Sequence, residues 1–200
     1  TTRMRSRLTG DPYGAYLDLL AAQRGAYNAY LDLGRFAVLS ASPECFLEWD
    51  GTHVHSVPMK GTSRREADPV ADAAARDALR ASAKDQAENV MIVDLIRNDL
   101  TKVAEPGSVE TTALLATEAY PTVWQLTSTV TARTRPGTRL LDLFAAMFPC
   151  GSVTGAPKRR TMELIAELED SPRGVYCGVI GYLAPPTSPA APRSSGVKDR

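Results

Sequence analysis

The chain carries no net charge, since 23 Lys and Arg are balanced by 23 Asp and Glu over 200 residues. With no overall field there is nothing to draw nucleic acid or an anionic membrane surface, so any bound anion must be held by local geometry. Cysteine is scarce too. Cys45, Cys150 and Cys177 are odd in number and scattered, which excludes a disulfide-dense secreted scaffold and the C-x-x-C spacing of a zinc site. They read as thiols of a reducing cytoplasm. Long apolar runs are missing, and Val90 to Val93 falls far short of the roughly 20 residues that span a bilayer. The basic opening Thr1-Thr2-Arg3-Met4-Arg5 has no apolar segment behind it and is no signal peptide. It also has no initiating Met, from which residues upstream are expected. What is present is ordinary: 44% hydrophobic and 23% charged residues exclude disorder, collagen-like repeats and coiled coil.

Asp11-Pro12 ahead of Tyr13, Tyr16, Leu17 and Leu20 predicts a short capped helix. Extended runs follow at Tyr27 to Leu33, Phe36 to Ala41, Cys45 to Trp49 and His53 to Val57, with Asp50-Gly51 a strong hairpin signal. Pro58 to Thr62 reads as a loop and Glu66 to Ala83 as a solvated helix. Lys84 to Val103 should pack one face on the core through Met91, Ile92, Leu95 and Ile96. Strands are expected around Ser108 to Leu115 and at Thr122 to Arg133, and helices at Leu140 to Phe148 and Lys158 to Leu168, with a loop from Pro149 to Pro157. Val175 to Leu183 reads as a last strand. Hairpins without a regular βαβ alternation predict an α+β fold. The proline-rich tail from residue 185 to 200 reads as disordered.

Several residues carry chemical potential. Glu88 lies on the same helix face as residues 91, 92 and 95, placing a carboxylate on the apolar stripe. Such a group needs a counter-charge, a metal or a hydrogen-bonded neighbour. Lys60 in Pro-x-Lys-Gly-Thr is either an exposed charge or a nucleophile reaching a cleft, with Gly61 allowing close backbone approach. The segment Gly151 to Lys158 opens a helix in a way that could meet an anion, but its spacing fails the nucleotide P-loop pattern. His53 and His55 share a strand face and, with no third ligand nearby in sequence, read as surface residues. No Ser-His-Asp constellation follows from spacing.

Four blocks together resemble the chorismate-utilising enzymes, in their aminodeoxychorismate synthase branch. They are Ser42-Pro43-Glu44, Pro58-Met59-Lys60-Gly61-Thr62, Ala87 to Leu100 with its Glu-Asn-Val-Met-Ile-Val-Asp-Leu-Ile-Arg-Asn core, and Phe148-Pro149-Cys150-Gly151-Ser152-Val153-Thr154-Gly155-Ala156-Pro157-Lys158. Tyr176 to Tyr182 is similar to the family's penultimate strand, and the likeness runs from about residue 10 to 184. It implies an αββα layered sandwich of the anthranilate synthase component I type, here a truncated piece. Where anthranilate synthases carry alanine before Gly-Thr, aminodeoxychorismate synthases commonly carry lysine, and this chain has Lys60.

By resemblance, Lys60 adds to C2 of chorismate, Glu44 is the general acid for departure of the C4 hydroxyl, and ammonia then adds at C4. The ammonia would come from a partner or fused glutamine amidotransferase, and the product, 4-amino-4-deoxychorismate, leads to the 4-aminobenzoate of folate. Glu88 corresponds to a ligand of Mg²⁺. Gly61, Thr62, Tyr176 and Thr154 correspond to chorismate-contacting or cleft-bordering positions. Gln125 stands where many relatives have histidine, and Cys150 where glycine is common. The family's Ile-Arg-Thr strand, glycine-rich turn and Glu-containing helix do not follow Leu183. The expectation is therefore a chorismate-binding domain over residues 1–184, incomplete at both ends and nearly inactive alone, with a disordered or frame-shifted tail over 185–200. An anthranilate synthase component I, or a non-catalytic remnant, are the other readings.

Overall fold

A computed structural model describes residues 4–23 and 27–185; the reading of the tail falls on residues outside that range from 186 on. The chain forms two compact units. One is built from Glu44–Gly178 with residues 4–7, the other from Leu8–Pro43 with residues 179–185.

The smaller unit holds α1 (Pro12–Gln23) and an antiparallel pair, β1 (Tyr27–Asp32) and β2 (Ala37–Ser42). The expected cap forms, with the Asp11 carboxylate accepting from the Gly14 N–H at 2.9 Å and Pro12 as the first helical residue. Tyr13, Tyr16 and Tyr30 cluster with ring centroids 5.2–6.2 Å apart, and these contacts fasten helix to hairpin.

The larger unit contains β3 (Cys45–Trp49), β4 (His53–Val57), β5 (Met59–Arg64), α2 (Pro69–Ala81), α3 (Ala83–Thr101), β6 (Glu110–Ala119), β7 (Val123–Arg133), α4 (Leu140–Met147), the single turn α5 (Gly151–Thr154) and α6 (Lys158–Leu168). Asp50-Gly51 makes the β3–β4 turn: Gly51 sits at φ 97°, and the Asp50 carboxylate accepts from the N–H groups of Thr52 and His53. The long strand β7 organises the sheet. β4 and β5 follow one another antiparallel to it in continuous register, Ser56 opposite Val130 and Met59 opposite Thr127, joined where the Ser128 N–H donates to Pro58 O. β6 also pairs with β7, through two bulges.

The core lies between this sheet and the helices. Ile92, Val93, Ile96 and Leu100 of α3 meet Val54, Val130 and Ala132 of the sheet and Leu143, Ala146 and Met147 of α4. Asn89 is buried on the same helix face. Its side-chain N–H donates to Leu126 O, while its carbonyl accepts from the Ser128 hydroxyl, which in turn accepts from the Leu115 N–H. This network satisfies polar groups at the β6 bulge that burial would otherwise leave unpaired.

The α+β expectation holds, with four local corrections. Pro58–Thr62 is not a loop: Met59–Arg64 is strand β5, because β7 extends far enough to pair it after Pro58. The helix expected over Glu66 to Ala83 is not wholly solvated, since Asp72 and Leu79 of α2 are buried. A helical turn, α5, interrupts the Pro149–Pro157 loop. Residues 175–183 form no regular strand. A strand exists by its ladder, and two glycines weaken an unpaired one further.

Candidate active site

Glu44 precedes β3, Lys60 lies in β5, and Ser152 lies in α5, and these three meet. The Lys60 ammonium donates to the Ser152 carbonyl at 2.9 Å, and the Ser152 hydroxyl donates to a Glu44 carboxylate oxygen at 2.5 Å. One serine therefore links an amine and a carboxyl group through two different atoms. α5 packs on Leu95 of α3 at Gly151, where a Cβ would fall 2.5 Å from Leu95 Cδ2 and oblige that side chain to shift. Burial pushes the Glu44 carboxyl up from its usual range, and the Ser152 hydroxyl, the Lys60 charge and the Met59 N–H only partly oppose it. A carboxyl so placed keeps its proton to higher pH, as a general acid requires. The neighbouring Cys150 thiol is pushed up by burial first and then by the Glu44 charge.

Lys60-Gly61 falls in a bulge of β5, between its paired residues Met59 and Thr62. Gly61 has φ 93°, and a Cβ on it would stand 2.9 Å from Asp85 Cβ and 3.2 Å from Leu79 Cδ1. Glycine is required there both for conformation and for the approach of the α2–α3 corner. Thr62 donates its hydroxyl to the Gln125 side-chain carbonyl at 3.0 Å, across the β5–β7 pair. Thr154 turns its hydroxyl to the carbonyl oxygens of Cys150 and Gly155. Tyr176 is exposed, and with Thr154 it lines a cavity of about 320 Å³ that also touches Phe148, Met162 and Cys177. Glu44, Lys60 and Glu88 do not line that cavity.

Glu88 sits at the edge of the buried stripe, not on it. The stripe runs through residues 89, 92, 93, 96, 99 and 100, one position round from the sequence reading, and Met91 is exposed. The Glu88 carboxylate is half-exposed and makes a 3.6 Å ion pair with Lys84 one turn earlier. The carboxylate that is buried on this helix is Asp99, held by Lys102 at 2.7 Å and by Lys158 at 2.5 Å. Lys158 also donates to Met147 O. The Gly151–Lys158 segment thus turns its ammonium inward to fasten the start of α6 to the end of α3, instead of presenting it to an anion. Sequence reasoning assigned no role to Ser152, Asn89 or Asp99. For the last two, the signal was a polar residue at each end of the 3.6-residue repeat.

Residues 1–189 match the sequence family described as chorismate binding enzyme. The chain belongs to that family. Within it, the chain is 47% identical over 182 residues to aminodeoxychorismate synthase component 1 of Klebsiella aerogenes, a match covering 91% of this chain and 40% of that protein. It is 39% identical over 187 residues to anthranilate synthase component 1 of Aeropyrum pernix, over 94% of this chain and 43% of that one. The crystal structure of anthranilate synthase component I from Streptococcus pneumoniae superposes with a TM-score of 0.79 at 36% identity, covering 88% of this chain and 39% of that chain. The chain thus spans about 40% of the length of the Klebsiella relative and carries part of the anthranilate synthase component I fold. Among its described residues, no single helix is long and apolar enough to cross a membrane.

Proposed function

We propose that this chorismate binding enzyme segment carries the aminating half-site of an aminodeoxychorismate synthase component 1. The observation that supports this most is the Lys60–Ser152–Glu44 linkage, an amine and a burial-raised carboxyl tied to one serine. Lys60 gives up a proton to solvent and forms a bond from Nζ to C2 of chorismate. The two conjugated ring double bonds shift in turn, and the C4 hydroxyl leaves as water on a proton from Glu44. Ammonia then adds at C4, both double bonds return to their places, and the Lys60 nitrogen is expelled, giving 4-amino-4-deoxychorismate. The amine divides one difficult substitution into two easier ones, and the acid spares the departure of hydroxide.

Gly61, Thr62, Thr154 and Tyr176 are the proposed substrate contacts, within a chorismate-binding domain that covers residues 1–184. Glu88 offers a hard oxygen donor, half-exposed and tied only by one long ion pair, which fits a magnesium ion that takes one or two protein carboxylates and fills its shell with water and substrate. When bound, such an ion would neutralise a substrate carboxylate. A glutamine amidotransferase, separate or fused, would supply the ammonia, and the setting is the cytoplasmic route to 4-aminobenzoate and folate. An anthranilate synthase is disfavoured by Lys60 itself.

The test is a graft. Residues 10–184 replace their counterpart in the Klebsiella component 1, and the hybrid receives chorismate, ammonia and Mg²⁺. Formation of 4-amino-4-deoxychorismate is expected, and formation of anthranilate would refute the assignment.

A further inference from the structure

A second cluster of donors lies at the β3–β4 hairpin. Strand alternation would send Cys45 and Glu48 to opposite faces, because residues three apart differ in parity. A register shift in β3 between these two residues cancels that difference. Glu48 then stands directly across from His55, and Cys45 across from Val57. His55 Nε2 lies 3.4 Å from a Glu48 carboxylate oxygen, and the Cys45 sulfur lies within 4.8 Å of both ligand atoms.

We infer that Cys45, Glu48 and His55 form a binding site for a borderline divalent transition-metal cation of the zinc type. Sulfur, imidazole nitrogen and carboxylate oxygen are the donors zinc takes, commonly three from the protein with water as the fourth. Ligand atoms of a tetrahedral zinc centre stand about 3.3–3.7 Å apart, as bond lengths near 2.0–2.3 Å require. The imidazole–carboxylate distance already meets this, and the thiol needs a shift of at most about 1.5 Å. The Glu48 and His55 side chains are 49% and 29% exposed, so a cation and its water can enter, while Cys45 is buried. On binding, the Cys45 thiol releases its proton to solvent and bonds as thiolate. Hard, oxygen-seeking Mg²⁺ is a poor match for this donor set. The site is therefore distinct from the one proposed at Glu88, and occupation would clamp the β3 bulge to β4 one residue from Glu44.

Cobalt(II) is the probe, because a thiolate ligand gives it a charge-transfer absorption that oxygen and nitrogen ligands do not. The full 200-residue chain, kept reduced with a phosphine and checked by circular dichroism, is titrated with Co²⁺ and then Zn²⁺. The expected result is one equivalent of Co²⁺ with the thiolate band, displaced by Zn²⁺ and unmoved by millimolar Mg²⁺. The band is lost in Cys45→Ser, and the dissociation constant rises about tenfold or more in His55→Ala. His55→Ala alters a partly exposed position, so it reports even if the buried serine variant unfolds. A wild-type chain with no thiolate band, a band that survives Cys45→Ser, or displacement by Mg²⁺ would overturn the proposal.

Discussion

Gly61 combines φ 93° with a backbone approach that leaves 2.9 Å between a would-be Cβ and Asp85 Cβ. The obstructing atom belongs to the root of a side chain and cannot swing away. Gly61→Ala is therefore expected to destabilise the chain by about 1–3 kcal/mol, read as a lower urea midpoint at unchanged slope. Ser152 is the other critical position, since its carbonyl and hydroxyl hold Lys60 and Glu44 together. In the graft, Ser152→Ala should leave thermal stability within a few degrees and reduce kcat by about 10–100-fold, the scale of a general acid no longer held in place. Wild-type turnover in that variant would separate Ser152 from the chemistry.

Helix α2 shows how a charged stretch can be structural. Asp72, in its first turn, accepts from the Arg65 guanidinium, the Glu66 N–H and the Trp124 indole N–H, and Arg65 stacks 4.4 Å above the Trp124 ring. The Arg65 hydrogen bonds hold the Asp72 carboxyl at about 2, against an ordinary 3.8. The folded chain keeps this group ionised where the unfolded chain would take up a proton. Its contribution is complete above about pH 4 and disappears as pH falls toward 2. Asp72→Asn should thus be less stable than wild type at pH 7, and urea midpoints should converge near pH 2. A gap that persisted at pH 2 would show the loss to be steric and not electrostatic.

Most elements were legible in the sequence where one signal dominated. Asp11-Pro12 marked α1, Asp50-Gly51 marked the β3–β4 turn, and the apolar repeat marked α3. The reading failed where a distant partner decides. β5 became a strand only because β7 pairs it beyond Pro58, while residues 175–183 have strand composition without a ladder. On α3, anchoring the repeat on Met91 put Glu88 on the buried face, whereas including Asn89 and Asp99 gives the observed one. Glu44 and Lys60 could be named through the family motifs, but their link through Ser152, 108 and 92 residues away in sequence, is a property of the fold alone. The same holds for Cys45, Glu48 and His55, whose meeting depends on a bulge that no spacing rule anticipates.

The chain spans about 40% of the length of the Klebsiella relative, and its proposed chemistry is best tested within that longer protein. If Lys60 is the nucleophile, the hybrid incubated with chorismate and Mg²⁺ but no ammonia should stop at the amine adduct. Peptide mass spectrometry should then find chorismate less one water on the Lys60 peptide, absent from Lys60→Ala, which should also fail to aminate. Wild-type amination by Lys60→Ala, or an adduct located on another residue, would contradict the mechanism.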